Sequence, residues 1–154
     1  MCGIAGIIKK KNAYINRDEI QKMTDTMIHR GPDAEGIYID GNVGLGHRRL
    51  SIVDLSESGN QPMSSYDEKY VLVFNGEIYN HKELKSFVPD STKLKSTTDT
   101  EILLELFSAL GIKETLHRAR GMFAVALYDR HERAIYLMRD RAGEKPLYYG
   151  FANG

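Results

Sequence analysis

The chain begins Met1-Cys2-Gly3-Ile4-Ala5-Gly6-Ile7-Ile8, and its second residue is its only cysteine. Residues 4–8 have the apolar character of a buried strand, which the following lysines end. A small penultimate residue generally permits removal of the initiator methionine, and Cys2 would then carry a thiol beside a free α-amine. This terminus predicts a nucleophile and a base within one residue. The alternative is that Cys2 is a small buried apolar residue, which is the commoner role for such a cysteine.

Length and composition narrow the class of protein. A chain of 154 residues fits one domain with one core. Its 21 basic residues balance its 21 acidic residues, so no net charge favours nucleic acid or an anionic membrane as a partner. No apolar stretch approaches the roughly 20 residues of a membrane helix, and the N-terminal one is too short for a secretory signal. A single cysteine fits a reducing compartment, so we expect a cytoplasmic protein.

Hydrophobic periodicity predicts an α+β fold in which antiparallel strands and helices are segregated. Strands are predicted at residues 4–8, 35–40, 43–49, 51–53, 70–74, 122–128, 134–138 and 147–151. Helices are predicted at residues 18–29, from a capping box at Thr98 to Gly111, and at residues 113–119. Residues 56–67 have the composition of a loop, and Asn75-Gly76 is predicted to end the strand before it in a turn.

Other catalytic chemistries have weaker support. A papain-like cysteine and histidine pair is the rival arrangement, but no local motif selects one of the histidines. The histidines are His29, His47, His81, His117 and His131. They show neither paired ligands nor the HExxH spacing of a zinc site, so we expect no metal. The glycines include no phosphate-binding fingerprint.

Five segments in a fixed order cover nearly the whole chain and carry a family resemblance. They are Cys2-Gly3-Ile4-Ala5-Gly6, His29-Arg30-Gly31-Pro32-Asp33, Arg49-Leu50-Ser51-Ile52-Val53-Asp54, Phe74-Asn75-Gly76-Glu77-Ile78-Tyr79-Asn80, and Arg139-Asp140-Arg141 with Gly143, Lys145, Pro146, Leu147, Tyr148 and Tyr149. Together they resemble the class II glutamine amidotransferases, and most of all the glutaminase domain of glutamine-hydrolysing asparagine synthetase. The resemblance implies an N-terminal-nucleophile hydrolase fold, a four-layer αββα sandwich of two antiparallel sheets flanked by helices.

The resemblance also implies a reaction. In that family a cysteine thiolate attacks the side-chain amide of glutamine, ammonia leaves, and water hydrolyses a glutamyl thioester to glutamate. Cys2 matches the nucleophile, and its α-amine matches the general base and acid. Asn75, through its side chain, and Gly76, through its backbone N–H, match the oxyanion hole.

Substrate-binding residues follow from the same match. Arg49 matches the arginine that binds the glutamine carboxylate, with its neighbour Arg48 as the alternative. The pocket lining is predicted to include Leu50, Ser51, Ile52 and Val53, largely through backbone atoms. Asp99 and Glu77 match the acids facing the ammonium group, although Asp99 could simply stabilise a helix N-terminus and Glu77 could be an exposed turn residue.

Two of the segments are interpreted as architecture. Gly31-Pro32 is typical of a helix end, so His29 is assigned no catalysis. The segment from Arg139 to Tyr149 is predicted to be a tight connection between core strands.

The resemblance implies partners outside these residues. We expect residues 1–154 to be a glutaminase domain cut from a longer amidotransferase, because Asn153-Gly154 is the pair most typical of a hairpin turn and the second arm of the predicted hairpin is missing. The expected partners are L-glutamine and a C-terminal synthetase domain or acceptor subunit, with a homodimer open. No cofactor is expected here, whereas ATP and Mg would belong to the synthetase domain. A non-catalytic glutamine-binding or interaction domain of the same fold is the second hypothesis.

Overall fold

Two antiparallel sheets stack face to face in the computed structural model, which describes residues 2–52 and 54–152. The first sheet has the strand order β1-β3-β2, with β1 at Gly3–Ile8, β2 at Ala34–Asp40 and β3 at Val43–Arg49. The second has the order β4-β5-β6-β7, with β4 at Met63–Ser64, β5 at Tyr70–Ile78, β6 at Gly121–Asp129 and β7 at Ala134–Arg139.

Helices cover the outer face of each sheet. The α-helices are α1 (Arg17–Asp25), α2 (His81–Leu84), α3 (Asp99–Leu110) and α4 (Ile112–Arg118). Short 3₁₀ turns lie at Ile28–Arg30, Glu57–Gly59, Lys85–Phe87 and Ser91–Lys93. Helix α1 packs on the first sheet, and α3 packs on the second. The four layers are therefore helix, sheet, sheet and helix, which confirms the predicted α+β sandwich.

The apolar core has two parts because strand β5 is covered on both faces. Its odd-numbered residues Val71 and Val73 pack between the sheets, against residues that include Leu45 of β3. Its even-numbered residues, among them Leu72 and Phe74, pack against the helical layer around α3. Alternation along a strand sends successive side chains to opposite faces. A strand buried on both faces explains why its sequence is a continuous apolar run.

Helix starts follow local capping. Asn16 accepts the Asp18 N–H at 3.0 Å, and the Glu19 carboxylate accepts the Asn16 N–H at 2.9 Å, which completes a capping box for α1. Thr98 caps α3 by accepting the Glu101 N–H at 3.2 Å. The α3 helix lacks the reciprocal half of the box, since the Glu101 carboxylate accepts N–H groups from the loop before it instead.

Five sequence predictions about the strands and helices are wrong. Strand β1 is half exposed rather than buried, because it is an edge strand. Strand β5 continues through Asn75 and Gly76 to Ile78 instead of turning. Helix α1 ends at Asp25, and a separate 3₁₀ turn follows. Residues 147–151 and the described residues of 51–53 form no strand. The predicted turn at Asn153-Gly154 lies outside the described residues.

In the described residues, no helix is long and apolar enough to cross a membrane. The same residues contain no group of three or more histidine, cysteine or acidic side chains that could hold a metal ion.

Candidate active site

A cavity of about 140 Å³ opens where the start of β1, the end of β3, the second half of β5 and the start of α3 meet. Most of the predicted site residues contribute to its wall. The lining residues are Cys2, Arg49, Leu50, Ile52, Asp54, Gly59, Gln61, Phe74, Asn75, Gly76, Glu77, Thr98, Asp99, Thr100, Met122 and Lys145.

Cys2 lies half-buried at one side of this cavity, immediately before β1. Its Sγ is 3.9 Å from the Leu50 carbonyl oxygen. Arg30 donates from Nε to the Cys2 carbonyl at 3.3 Å, and the Asp33 carboxylate accepts the Ser51 N–H at 2.7 Å. The segment at residues 29–33 therefore fixes backbone next to the cavity.

Asn75 and Gly76 lie within β5, beside the open edge of the second sheet. Strand β4 pairs with β5 only at Leu72 and Val71, and the described residues place no other strand along the rest of that edge. Phe74 and Ile78 each donate an N–H at this edge to a side chain. Backbone groups of an antiparallel strand alternate between its two edges, so the Gly76 N–H between them points the same way.

The two predicted oxyanion donors have no competing partners among the described residues. The Asn75 side chain, 6% exposed, makes no hydrogen bond to another described residue. Glycine at position 76 is required by close approach, because a Cβ there would lie 2.2 Å from the Met122 carbonyl oxygen. An amide and an N–H are thus both available on one stretch of strand.

Arg49 and Arg48 point to opposite sides of the first sheet. Arg49 lines the cavity and donates from Nη1 to the Ser56 carbonyl at 2.7 Å and to Asn60 Oδ1 at 2.8 Å. Its Nη2 donates to the Asp54 carbonyl. These bonds leave Nε–H and one Nη2–H without a partner among the described residues, and a guanidinium can bind a carboxylate through two N–H groups.

Arg48 forms ion pairs on the α1 side instead. Its Nη2 is 2.5 Å from Asp25 Oδ1 and 2.6 Å from Glu35 Oε2. The structure therefore brings Arg49, and not Arg48, to the cavity.

The acids predicted to face an ammonium group both border the cavity. Asp99 is 8% exposed and accepts the Ile78 N–H through Oδ2 at 2.7 Å. Burial raises the pKa of Asp99, and the hydrogen bond from Ile78 opposes that rise. Glu77 is exposed and lies on β5 rather than in a turn. Asp99 consequently joins the start of α3 to the edge of β5.

The predicted lining at residues 50–53 is only partly present. Leu50 and Ile52 line the cavity. Ser51 does not line it, because its N–H donates to Asp33 away from the cavity. Val53 lies outside the described residues.

Asp54, at the end of the same segment, connects two loops beside the cavity, a role that the sequence motif did not indicate. Its carboxylate accepts the Ser56 N–H at 2.8 Å and the Thr97 N–H at 2.9 Å. Hydrogen bonds from Ser56 and Thr97 hold the pKa of Asp54 well below its usual range. The loop after β3 is thereby joined to the residues that precede α3.

Sequence reasoning also missed Lys145, which is 7% exposed and lines the cavity. Burial would raise the pKa of Asp140, but N–H groups of Lys145, Glu144 and Phe123 donate to its carboxylate and lower the pKa to about 2. The turn around Asp140 places Lys145 beside the cavity, and residues 146–152 form no strand. The available signal was the position of Lys145 inside the last of the five family segments.

Gln61 was missed as well, and His47 was considered only as a rival catalytic residue. Gln61 lines the cavity and accepts the Phe74 N–H through Oε1 at 2.6 Å. His47 is fully buried, with Nε2 at 3.2 Å from the Phe74 carbonyl oxygen. None of the five histidines lines the cavity, so the described residues give no papain-like pair with Cys2 there. Burial lowers the pKa of His47 to about 4.

Comparison with known proteins identifies the family. The family model described as a glutamine amidotransferase domain matches residues 1–154. The chain belongs to the glutamine amidotransferase family. It is 41% identical to asparagine synthetase B [glutamine-hydrolyzing] of Escherichia coli over 98% of this chain and 27% of that protein. It is 38% identical to amidase chry2 of Gibberella zeae over 97% of this chain and 24% of that protein.

A solved structure supports the fold of this amidotransferase domain. Glutamine phosphoribosylpyrophosphate amidotransferase from B. subtilis superposes with a TM-score of 0.70 at 19% identity, over 89% of this chain and 37% of that chain. The family predicted from the five segments is thus confirmed. The chain spans between a fifth and a third of the length of the first curated relatives that it matches.

Proposed function

We propose that this domain hydrolyses L-glutamine to L-glutamate and ammonia through a glutamyl thioester on Cys2. The observation that carries the proposal is the convergence of a thiol, an amide donor, an arginine and two acids on one cavity. The α-amine of Cys2, once Met1 is removed, would accept the thiol proton. Sγ would then bond to the side-chain carbonyl carbon of glutamine.

Charge would develop on the amide oxygen during that attack. The Asn75 side chain and the Gly76 N–H are the donors proposed for it, and losing one such donor typically costs about 100- to 1,000-fold in rate. The protonated α-amine would pass its proton to the departing nitrogen, which leaves as ammonia. Water would then add to the thioester carbon, release glutamate and return the proton to Sγ.

Substrate recognition would use the charged groups that line the cavity. Arg49 is proposed to bind the α-carboxylate through Nε–H and the Nη2 hydrogen that is not donated to the Asp54 carbonyl. Asp99 and the exposed Glu77 are proposed to face the α-ammonium. Leu50 and Ile52 would complete the pocket.

We further propose that the ammonia serves an asparagine-synthetase-like amidation in a larger cytoplasmic protein. ATP and Mg would bind to a synthetase domain or acceptor subunit beyond this domain. The relative named asparagine synthetase B supports aspartate as the acceptor. The relative named amidase chry2 supports a second candidate, in which the same glutaminase serves a different carboxylate.

The test compares protein shown by mass spectrometry to start at Cys2 with its Cys2→Ala variant. We expect the first to release equimolar glutamate and ammonia, and the variant to release neither while keeping its circular dichroism and thermal midpoint. A control that retains Met1 should also be inactive, because acylation removes the amine base. Turnover by Cys2→Ala, or none by protein that starts at Cys2, would refute the glutaminase proposal.

A further inference from the structure

Side chains from three other elements close the edge of β5 where a neighbouring strand would ordinarily pair. Gln61 accepts the Phe74 N–H at 2.6 Å, His47 contacts the Phe74 carbonyl at 3.2 Å, and Asp99 accepts the Ile78 N–H at 2.7 Å. Between these fixed points lies the Gly76 N–H. The backbone groups on either side of Gly76 along this edge therefore have side-chain partners, and the Gly76 N–H between them faces the cavity.

The state of His47 follows from its surroundings. The ring is fully buried in β3, and Nε2 faces a carbonyl oxygen, which can only accept. Nε2 therefore carries the hydrogen and Nδ1 does not. Among the described residues, Nδ1 has no hydrogen-bond partner. An orphaned buried nitrogen reduces stability, so packing alone does not explain a histidine here, whereas the bond to Phe74 does.

Gln61 lies next to the residue of β2 that pairs with His47. Gly36 of β2 lies opposite His47 in the sheet, and a Cβ on Gly36 would lie 2.1 Å from the Gln61 carbonyl oxygen. Gln61 is 6% exposed, and its Nε2 is 3.5 Å from Thr100 Oγ1. Its amide is consequently held between the Phe74 backbone and the first turn of α3.

We propose that His47 and Gln61 form a clamp on the Phe74 backbone, and that this clamp positions the Asn75 and Gly76 donors for the developing oxyanion. The inference rests on the proposed glutaminase reaction and deepens it. Both side chains act through Phe74, so they are positioning residues. Phe74 and Asn75 share a peptide unit, and a misplacement of about 1 Å at a reacting centre can cost about 100-fold in rate.

The first experiment replaces His47 in protein that starts at Cys2. His47→Met fills the space without a donor, and His47→Gln restores an N–H near the position of Nε2. We expect His47→Met to lower kcat about 10- to 100-fold with KM for glutamine changed less than about twofold, because the donors act in the transition state. His47→Gln should recover most of kcat.

Two further comparisons separate positioning from general damage to the core. Leu45→Met alters a fully buried residue of the same strand that does not contact Phe74, and it should leave kcat unchanged. Gln61→Leu should lower kcat as His47→Met does, while Gln61→Glu keeps an acceptor and should lower it less. Rates are expressed per folded molecule, measured by urea unfolding. A folded His47→Met with unchanged kcat overturns the clamp.

Nitrogen NMR of His47 tests the clamp independently of turnover. Long-range ¹H–¹⁵N spectra should show a protonated Nε2 and a bare Nδ1, and the amide signals of Asn75 and Gly76 should shift in His47→Met. The opposite tautomer, or unshifted amides, overturns the clamp even if the enzyme is active. An inactive wild-type protein with the expected spectra would instead refute the proposed function and leave the clamp standing.

Discussion

Replacing His47 by glutamine should remove a large part of the acid sensitivity of this domain. His47 is fully buried, and desolvation, aided by the nearby charge of Arg49, lowers its pKa from 6.5 to about 4. The hydrogen bond to the Phe74 carbonyl opposes this shift but does not cancel it. The folded protein therefore keeps His47 neutral at pH values where the unfolded chain already binds a proton.

The difference between the folded and unfolded pKa values of His47 determines how the free energy of unfolding changes with pH. Because the unfolded state binds the proton more tightly, the contribution of neutral His47 to stability is fully present above pH 6.5 and is lost as pH falls through 4. At 1.36 kcal/mol per pH unit, the free energy of unfolding should fall by about 2 kcal/mol by pH 5 and by about 3 kcal/mol by pH 4. Glutamine keeps the donor to Phe74 and does not titrate.

The assay is urea unfolding of wild type and His47→Gln between pH 7.5 and pH 4. All other titrating groups are common to both proteins, so their contributions cancel in the difference between the two curves. That difference should move by about 3 kcal/mol in favour of the variant as pH falls. A difference that stays constant within about 0.5 kcal/mol would refute the assignment of His47 as a buried neutral group.

Two more predictions concern the arginines of β3 and the tyrosine between the sheets. Arg49→Ala should raise KM for glutamine at least tenfold. Arg48→Ala loses only contacts on the α1 side of the sheet and should leave KM unchanged. Equal effects of the two substitutions on KM in steady-state kinetics would contradict this placement of the arginines. Tyr128 donates to Asp40 at 2.8 Å, so Tyr128→Phe should cost about 1–2 kcal/mol in urea unfolding at pH 7. Burial and the Asp40 hydrogen bond raise the pKa of Tyr128 to about 12, so wild type should lose stability between pH 10 and pH 12 and the variant should lose less.

Periodicity and turn residues sufficed for the layers of the fold. The helix at Asp99–Leu110 could be predicted from its capping residue and its apolar spacing, whereas the strands at Val43–Arg49 and Gly121–Asp129, which are buried along most of their length, could be predicted from the turn residues that bound them. The failures fall where tertiary contacts outweigh local preference. Asn75-Gly76 has the composition of a turn, yet pairing with Ala124 and Phe123 of β6 keeps it extended.

Site residues divide in the same way. Most of the site residues that the motifs selected line the cavity, although Ser51 does not and Lys145 was not selected, and the choice of Arg49 over Arg48 agrees with the side of the sheet that each faces. Gln61 and His47 could not be placed, because each acts on the backbone of Phe74, which lies in a different segment of the chain. No local sequence pattern indicates that a side chain will hydrogen-bond to the edge of a strand where another strand would ordinarily pair.

Strand β5 combines three tasks that constrain one another. Its odd residues build the core between the sheets, its even residues build the core under α3, and its edge faces the cavity. Asn75 is the next residue on the face formed by the odd-numbered residues, after the apolar ones, and it lies where the strand borders the cavity. A rotation of the strand that improved the position of Gly76 would therefore displace both cores, whose close packing resists such a change. Rigidity of the proposed oxyanion donors is, on this view, a consequence of burying the same strand on two faces.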